Sequence, residues 1–213
     1  MITETRLGYD ALPALMTRLT GDEKHGSSSL STLDAIWVLY DRILRDGDRF
    51  LLSKGHGPTA FYAVLAAKGI LPVEALDGFG TFDSTLGHHP DRVLVPGVDF
   101  SSGSLGHGLA VACGVALTGR RVFCLVGDAE LEEGSNWEAV QFAGATPLGS
   151  LTAITIDNRS SMHGWRGGIE RRFELEGWTA VRVDGRDHDA LEHAFGAATG
   201  AAPHLVVAEV EPK

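Results

Sequence analysis

The chain has 213 residues, 44% of them apolar and 22% charged, the make-up of one α/β domain large enough for a sizeable core. Twenty-eight acidic against eighteen basic residues leave a net charge of −10, and no run of Lys or Arg is dense enough to track a phosphate backbone, so nucleic acid is excluded as an expected partner. The opening MITETRLGYD has no apolar h-region, and the longest weakly polar run, GLAVACGVALTG, falls well short of the roughly 20 residues of a membrane helix, so no membrane association and a cytoplasmic location are expected.

From Ser31 to Arg45 apolar residues fall at Leu33, Ile36, Trp37, Tyr40, Ile43 and Leu44, the period of an amphipathic helix with Ser31 placed to cap it. Gly78 to Gly103, with Pro90, Pro96 and five glycines, reads as a long loop, and loops of that length in a compact domain tend to be functional. Residues 101 to 119, SSGSLGHGLAVACGVALTG, read as a glycine-rich turn feeding a helix of small and apolar residues, expected to be buried. Then Val- and Ile-rich runs at 121–126, 151–156, 179–183 and 204–210 alternate with helical stretches near 134–146 and 187–199. This βαβ rhythm predicts a single domain over 1–213, built as a doubly wound parallel sheet with helices on both faces. Cys113 and Cys124 lack metal or redox spacing and are expected to be buried small hydrophobes.

In a parallel sheet, ligands sit beyond the carboxyl ends of the strands, where helix N-termini point their free N–H groups. Gly127 and Asp128 follow one predicted strand, and Asp157 and Asn158 end the next. Asp128 and Asn158 are about one βαβ unit apart, so they can reach neighbouring strand ends. A carboxylate and an amide oxygen, completed by water and phosphate oxygens, suit the octahedral preference of Mg²⁺. The same residues also suit ordinary turns at strand ends.

The stretch GDAELEEGSNWEA resembles the thiamine diphosphate signature of transketolases, which begins Gly-Asp-Gly and closes on an Asn about a βαβ unit later, here IDN. Five further segments match that family in order: HGSSSLS at 25–31, LLSKGHG at 51–57, GHHPD at 87–91, PGVDFSSGSLGHGL at 96–109 and LEGWTAVRVDGRD at 175–187. The resemblance covers nearly the whole chain but only the first, diphosphate-binding third of a full transketolase. It therefore implies the N-terminal subunit of a split transketolase.

The cofactors implied are thiamine diphosphate and Mg²⁺, or another divalent cation such as Ca²⁺ or Mn²⁺. The implied metal ligands are Asp128, Asn158 and the backbone carbonyl of Ser160. His56 is expected at the diphosphate, with Gly127 and Ala129 in the same turn, and Gly103 and Leu105 at the thiamine rings. His25 and His89 match histidines that contact the donor's hydroxyls and assist proton transfer, with His88 as the alternative to His89. Glu133 and Glu138 match interface carboxylates that link two active sites, whereas Glu130 and Glu132 are expected to be solvated surface. His163, His188, His193 and His204 are expected at the surface or at strand ends.

Ala129 departs from the signature's second Gly, a change tolerated unless that position needs positive φ. Gly26 stands where the family has Pro, His163 stands for an Asp, and the chain stops at EVEPK, before a further diphosphate histidine. The implied activity is transfer of a two-carbon ketol unit from a ketose donor to an aldehyde or other acceptor. The expected partner is a C-terminal, pyrimidine-binding transketolase subunit in an α2β2 heterotetramer. Two other readings stay open: the α subunit of a 2-oxoacid dehydrogenase E1, and a non-catalytic cofactor-binding subunit.

Overall fold

The computed structural model describes residues 6–212. In chain order its helices are α1 (Leu12–Met16), α2 (Gly26–Leu30), α3 (Leu33–Val38), α4 (Thr59–Ala67), α5 (Gly108–Ala116), α6 (Gly134–Ala145), α7 (Ile169–Leu175) and α8 (His188–Gly196). The strands are β1 (Arg49–Leu52), β2 (Val122–Gly127), β3 (Leu151–Asp157), β4 (Thr179–Asp184) and β5 (His204–Glu209). They form one parallel sheet in the order β1-β2-β3-β5-β4.

Successive strand residues point to opposite faces, and each face builds its own core. Phe50, Phe123, Ile154 and Val206 pack on one side with Leu12 of α1, Ile36 of α3, α4 and Phe195 of α8. Leu51, Cys124, Ala153 and Val207 pack on the other with Ala112 of α5, Val140 of α6 and Phe173 of α7. A sheet covered on both faces needs strands apolar at every position, and β2 is buried throughout. Cys113 and Cys124 are free and buried, as expected for small hydrophobes.

The expected helix over 31–45 is differently bounded. Ser31 ends α2 instead of capping α3, because its hydroxyl donates back to the Ser28 carbonyl at 2.7 Å. Thr32 occupies the N-cap position, and after Val38 the helix loosens into a π-helical stretch, Leu39–Ile43. The helix expected to be wholly buried, α5, is buried on one side only: Leu109, Ala112, Cys113 and Ala116 face the core, while Ala110, Val111 and Gly114 are exposed. Small residues let α5 lie close to β2 and α6 on its inner side, and nothing within residues 6–212 covers its outer side. No helix among the described residues is long and apolar enough to cross a membrane.

Candidate functional site

The carboxyl ends of β1, β2 and β3 gather five segments. Residues 53–57 follow β1, residues 127–130 end and follow β2, and residues 158–164 follow β3, with the turn into α5 (102–108) and the stretch 22–29 packed against them. The register places Leu52 beside Leu125 and Gly127 beside Ile156, so Asp128 and Asn158 leave adjacent strands, as the spacing predicts.

Glu130 holds three of these segments together. A short 3₁₀ turn, Glu130–Glu132, turns this side chain inward until the residue is only 2% exposed. Its Oε1 accepts hydrogen bonds from Ser53 Oγ at 2.5 Å and from the Gly106 N–H at 3.0 Å. Its Oε2 accepts the Gly127 N–H at 3.1 Å, and Asn136 Nδ2 donates to its backbone carbonyl at 2.7 Å. Burial raises the Glu130 pKa, opposed by these donors and by the charge of Lys54. The expectation that Glu130 is solvated surface is therefore wrong: three converging donors supply what water would have supplied. Glu132 is exposed as expected, yet it accepts Ser161 Oγ at 2.6 Å and the His163 N–H at 3.0 Å, and so tethers the loop after β3.

Two glycines allow the loops to come this close. A Cβ on Gly55 would lie 2.1 Å from Ser102 Oγ, and one on Gly108 would lie 2.3 Å from Ser53 Cβ. Lys54, buried between β1 and the 22–29 segment, donates from Nζ to the Ser28 carbonyl at 2.6 Å, and its aliphatic stem packs against Gly127.

Asp128 is buried and fully engaged. Oδ1 accepts the Ala129 N–H at 2.8 Å and Ser160 Oγ at 2.6 Å, while Oδ2 accepts the N–H groups of Ser160 at 2.7 Å and Ser161 at 3.1 Å. Asn158, two residues beyond the Ile156 that pairs with Gly127, is also buried, and Arg159 takes the left-handed conformation with φ 55° to turn the chain back. Ala129 has φ −68°, so its methyl is tolerated without strain. Asp128, Asn158 and a backbone carbonyl make a hard-oxygen set that suits Mg²⁺. Among the described residues no group of three or more His, Cys, Asp or Glu could hold a metal ion, so such a site would depend on the amide and carbonyl oxygens.

The histidines divide into two sets. His25 Nδ1 lies 2.6 Å from Asp22 Oδ1, and its ring meets that of His56 edge-on at 5.6 Å between centroids. The His89 ring lies over Gly103, 3.5 Å from where a Cβ would be, which puts it against the turn expected at the thiamine rings. His88 instead packs edge-on against Phe79 at 5.3 Å, with Nδ1 3.8 Å from Asp22 Oδ1. Glu133 and Glu138 are exposed at the start and on the outer side of α6, and Leu105 is also exposed. Of the remaining histidines, His163 and His193 lie at the surface. His188 Nε2–H donates to Asp34 Oδ1 at 2.7 Å, and His204 begins β5 but is buried, bonded to Thr179 Oγ1 and the Ala194 carbonyl. Burial lowers the His204 pKa.

The sequence matches the profile of the family described as transketolase, thiamine diphosphate binding domain, over residues 40–209. The chain belongs to the transketolase family. A protein called Ferredoxin fas2, from Rhodococcoides fascians, is 50% identical over 97% of this chain and 73% of its own length. The 6-deoxy-6-sulfo-D-fructose transketolase subunit SqwG of Clostridium sp. (strain MSTE9) is 34% identical over 80% of this chain and 70% of its own. The solved transketolase of Leishmania mexicana superposes with a TM-score of 0.73 at 25% identity, over 90% of this chain. The present chain spans only 37% of that transketolase. Its parallel sheet with helices on both faces is the thiamine diphosphate-binding α/β fold of these enzymes.

Most of the segments that this transketolase-family domain assembles are visible in the sequence, but Ser53, Lys54 and Asp22 do not stand out there as site residues. Ser53 and Lys54 carried a faint signal, a Ser and a Lys directly after the apolar run FLL and before two glycines. Asp22 carried none, because only the fold sets it beside His25 and His88.

Proposed function

We propose that this chain is the diphosphate-binding part of a transketolase-type transferase that moves a two-carbon ketol unit from a ketose donor to an aldehyde or other acceptor. The observation that carries this reading is the convergence of the strand ends around Glu130: it brings Gly127 and Asp128, the turn holding Gly103 and Leu105, and the loop holding His56 to one place beyond the sheet. When bound, thiamine diphosphate supplies the nucleophilic carbon that takes up the ketol unit. Asp128, Asn158 and the Ser160 carbonyl would hold a divalent cation, Mg²⁺ above all, which offsets the diphosphate charge. His56, Gly127 and Ala129 would line the diphosphate, and Gly103 and Leu105 would approach the rings. His25 and His89 would meet the donor, where an imidazole can both give and accept a proton near neutrality.

The reading includes a second, pyrimidine-binding part on a separate subunit, in an α2β2 assembly. Two features support it: the SqwG relative is called a transketolase subunit, and the outer side of α5 and α6 leaves Val111, Leu117 and Phe142 exposed alongside Glu138. Exposed apolar side chains of this kind suit a surface that another protein covers.

One observation favours a second reading. The 50% identical relative is called a ferredoxin, and about a quarter of its length lies outside the match, so electrons leaving the bound substrate to an iron–sulfur partner would make the assembly an oxidoreductase. The experiment that separates the two is co-purification of the chain with its pyrimidine-binding partner, loading with thiamine diphosphate and Mg²⁺, and supply of ketose donors. Ketol transfer to an aldehyde without an electron acceptor supports the transferase. Turnover only when an oxidant is added refutes it. A light-scattering mass near two copies of each chain checks the stoichiometry.

A further inference from the structure

Asp22 is a buried carboxylate to which the reading above gives no task. Its side chain is 1% exposed, Oδ1 lies 2.6 Å from His25 Nδ1, and Oδ2 has no hydrogen-bond partner among the described residues. Taking a carboxylate out of water with one oxygen unpaired is costly. What the other oxygen gains is control of an imidazole. In a neutral histidine one ring nitrogen donates and the other accepts, and the hydrogen bond made by the first decides the role of the second. With Nδ1–H donating to Asp22, His25 Nε2 becomes the acceptor.

The backbone of His25 is already fixed. It sits between the 3₁₀ turn Glu23–His25 and α2, and Gly57 packs so closely that a Cβ there would lie 3.0 Å from the His25 carbonyl oxygen. Ring rotation is the freedom left, and Asp22 removes it. The His56 ring confines His25 on another side at 5.6 Å. His88 lies near the same carboxylate, but at 3.8 Å its Nδ1 is beyond hydrogen-bond reach, and its ring is held by Phe79. Asp22 therefore orients one of its two neighbouring imidazoles.

We propose that Asp22 is a positioning residue that fixes the tautomer and rotation of His25, so that Nε2 is presented as the acceptor for a hydroxyl of the ketose donor. This rests on the reading of His25 as a donor contact. The arrangement follows the general logic in which a buried carboxylate orients a working histidine through Nδ1.

The test has two arms. In the full chain with ¹⁵N-labelled histidine, two-bond proton–nitrogen NMR should show His25 protonated at Nδ1. Asp22→Asn, whose amide oxygen still accepts, should keep that pattern, and Asp22→Ala should lose it; Asp22→Leu, which fills the space, makes the same comparison if the alanine variant does not fold. In the complex with the pyrimidine-binding partner, thiamine diphosphate and Mg²⁺, with the ketose xylulose 5-phosphate as donor, Asp22→Ala should lower kcat/KM at least tenfold without changing cofactor affinity. Asp22→Asn should restore most of the loss. A His25 tautomer that ignores Asp22→Ala and Asp22→Leu overturns the proposal. So does a kcat/KM unchanged by either variant while His25→Ala lowers it, an outcome that leaves the transferase reading standing. If His25→Ala itself leaves donor kinetics unchanged although the tautomer has switched, the assignment of His25 to the donor has failed, and the purpose given to Asp22 falls with it.

Discussion

Glu130→Gln replaces one oxygen by an NH₂ group at the point where three loops meet, and its cost can be worked from the geometry. The amide oxygen can replace Oε1 and keep the hydrogen bonds from Ser53 Oγ and the Gly106 N–H. The amide NH₂ must then take the place of Oε2, facing the Gly127 N–H that Oε2 accepts at 3.1 Å. A donor would meet a donor in a site shielded from water. An orphaned buried donor costs about 1–3 kcal/mol, and in a domain of this size each kcal/mol lowers Tm by about 2–4 °C. A fall of roughly 2–12 °C is expected on that basis. Glu130→Ala, which orphans all three donors and opens a cavity, should cost more.

The pH dependence gives a sharper check. Burial raises the folded-state pKa of Glu130 above its ordinary value of 4.5, so the folded chain holds this proton more tightly than the unfolded chain does. Its contribution is complete below pH 4.5 and is lost as pH rises through the folded-state pKa. The gap in stability between wild type and Glu130→Gln should therefore narrow from acid to neutral pH. Thermal unfolding followed by circular dichroism in that range makes the measurement, with Glu132→Gln as an exposed control expected to shift Tm less. An unchanged Tm in Glu130→Gln would refute the clip, and a gap that widens toward neutral pH would refute the raised pKa.

Asp128→Ala and Asn158→Ala should each weaken Mg²⁺-dependent retention of thiamine diphosphate by more than the roughly tenfold typical of an outer-shell change, without unfolding the chain; calorimetry on the assembled complex decides, and wild-type affinity would sink the metal assignment. His56→Ala should mainly raise the cofactor Kd, whereas His89→Ala should leave it unchanged and lower turnover with donor; equal effects on cofactor affinity would show the roles to be misassigned. Ser160→Ala should tighten Mg²⁺ binding by about two- to tenfold, the worth of one hydrogen bond, because all four lone-pair directions of Asp128 are taken and the Ser160 hydroxyl is the donor that can rotate away. A weaker metal affinity in that variant would mean that the hydroxyl helps to hold the cation.

Much of the fold is legible in the sequence where burial imposes a pattern. β2 to β5 sit in Val- and Ile-rich runs and begin or end within a residue or so of the expected positions, and α6 follows its expected span closely. β1 is less visible, because RFLL is only four residues long and runs straight into the glycine motif that reads as a loop. The site is legible in its motifs but not in its supports. Nothing in ELEEG distinguishes Glu130 from Glu132 by composition; the 3₁₀ turn aims one inward and the other outward. Ser31 is misread for a related reason, since a serine before an apolar run can cap the following helix or bond back to the one before it. The apolar sequence of α5 indicates burial correctly for its inner side and is silent on whether the outer side is covered by this chain or by another.

The crowding of carboxylates beside glycines has a single physical basis. A carboxylate can replace water only if donors come within about 3 Å of its oxygens from several directions, and donors on three separate loops can do so only if their backbones nearly touch. Gly55 against Ser102 and Gly108 against Ser53 permit that contact, where any Cβ would overlap its neighbour. Glu130 then gives the contact a direction, since its two oxygens select the N–H groups of Gly106 and Gly127 and the hydroxyl of Ser53. Gly127 ends β2 and Asp128 follows it directly, so any loosening of the clip is felt at the strand end that carries the site. Glycines without the carboxylate would leave flexible loops with unpaired N–H groups. A carboxylate without the glycines would be buried with donors out of reach. The two features of the sequence are therefore one device, and its product is the close meeting of the loop after β1, the end of β2 and the turn into α5 at the place where Asp128 leaves the sheet.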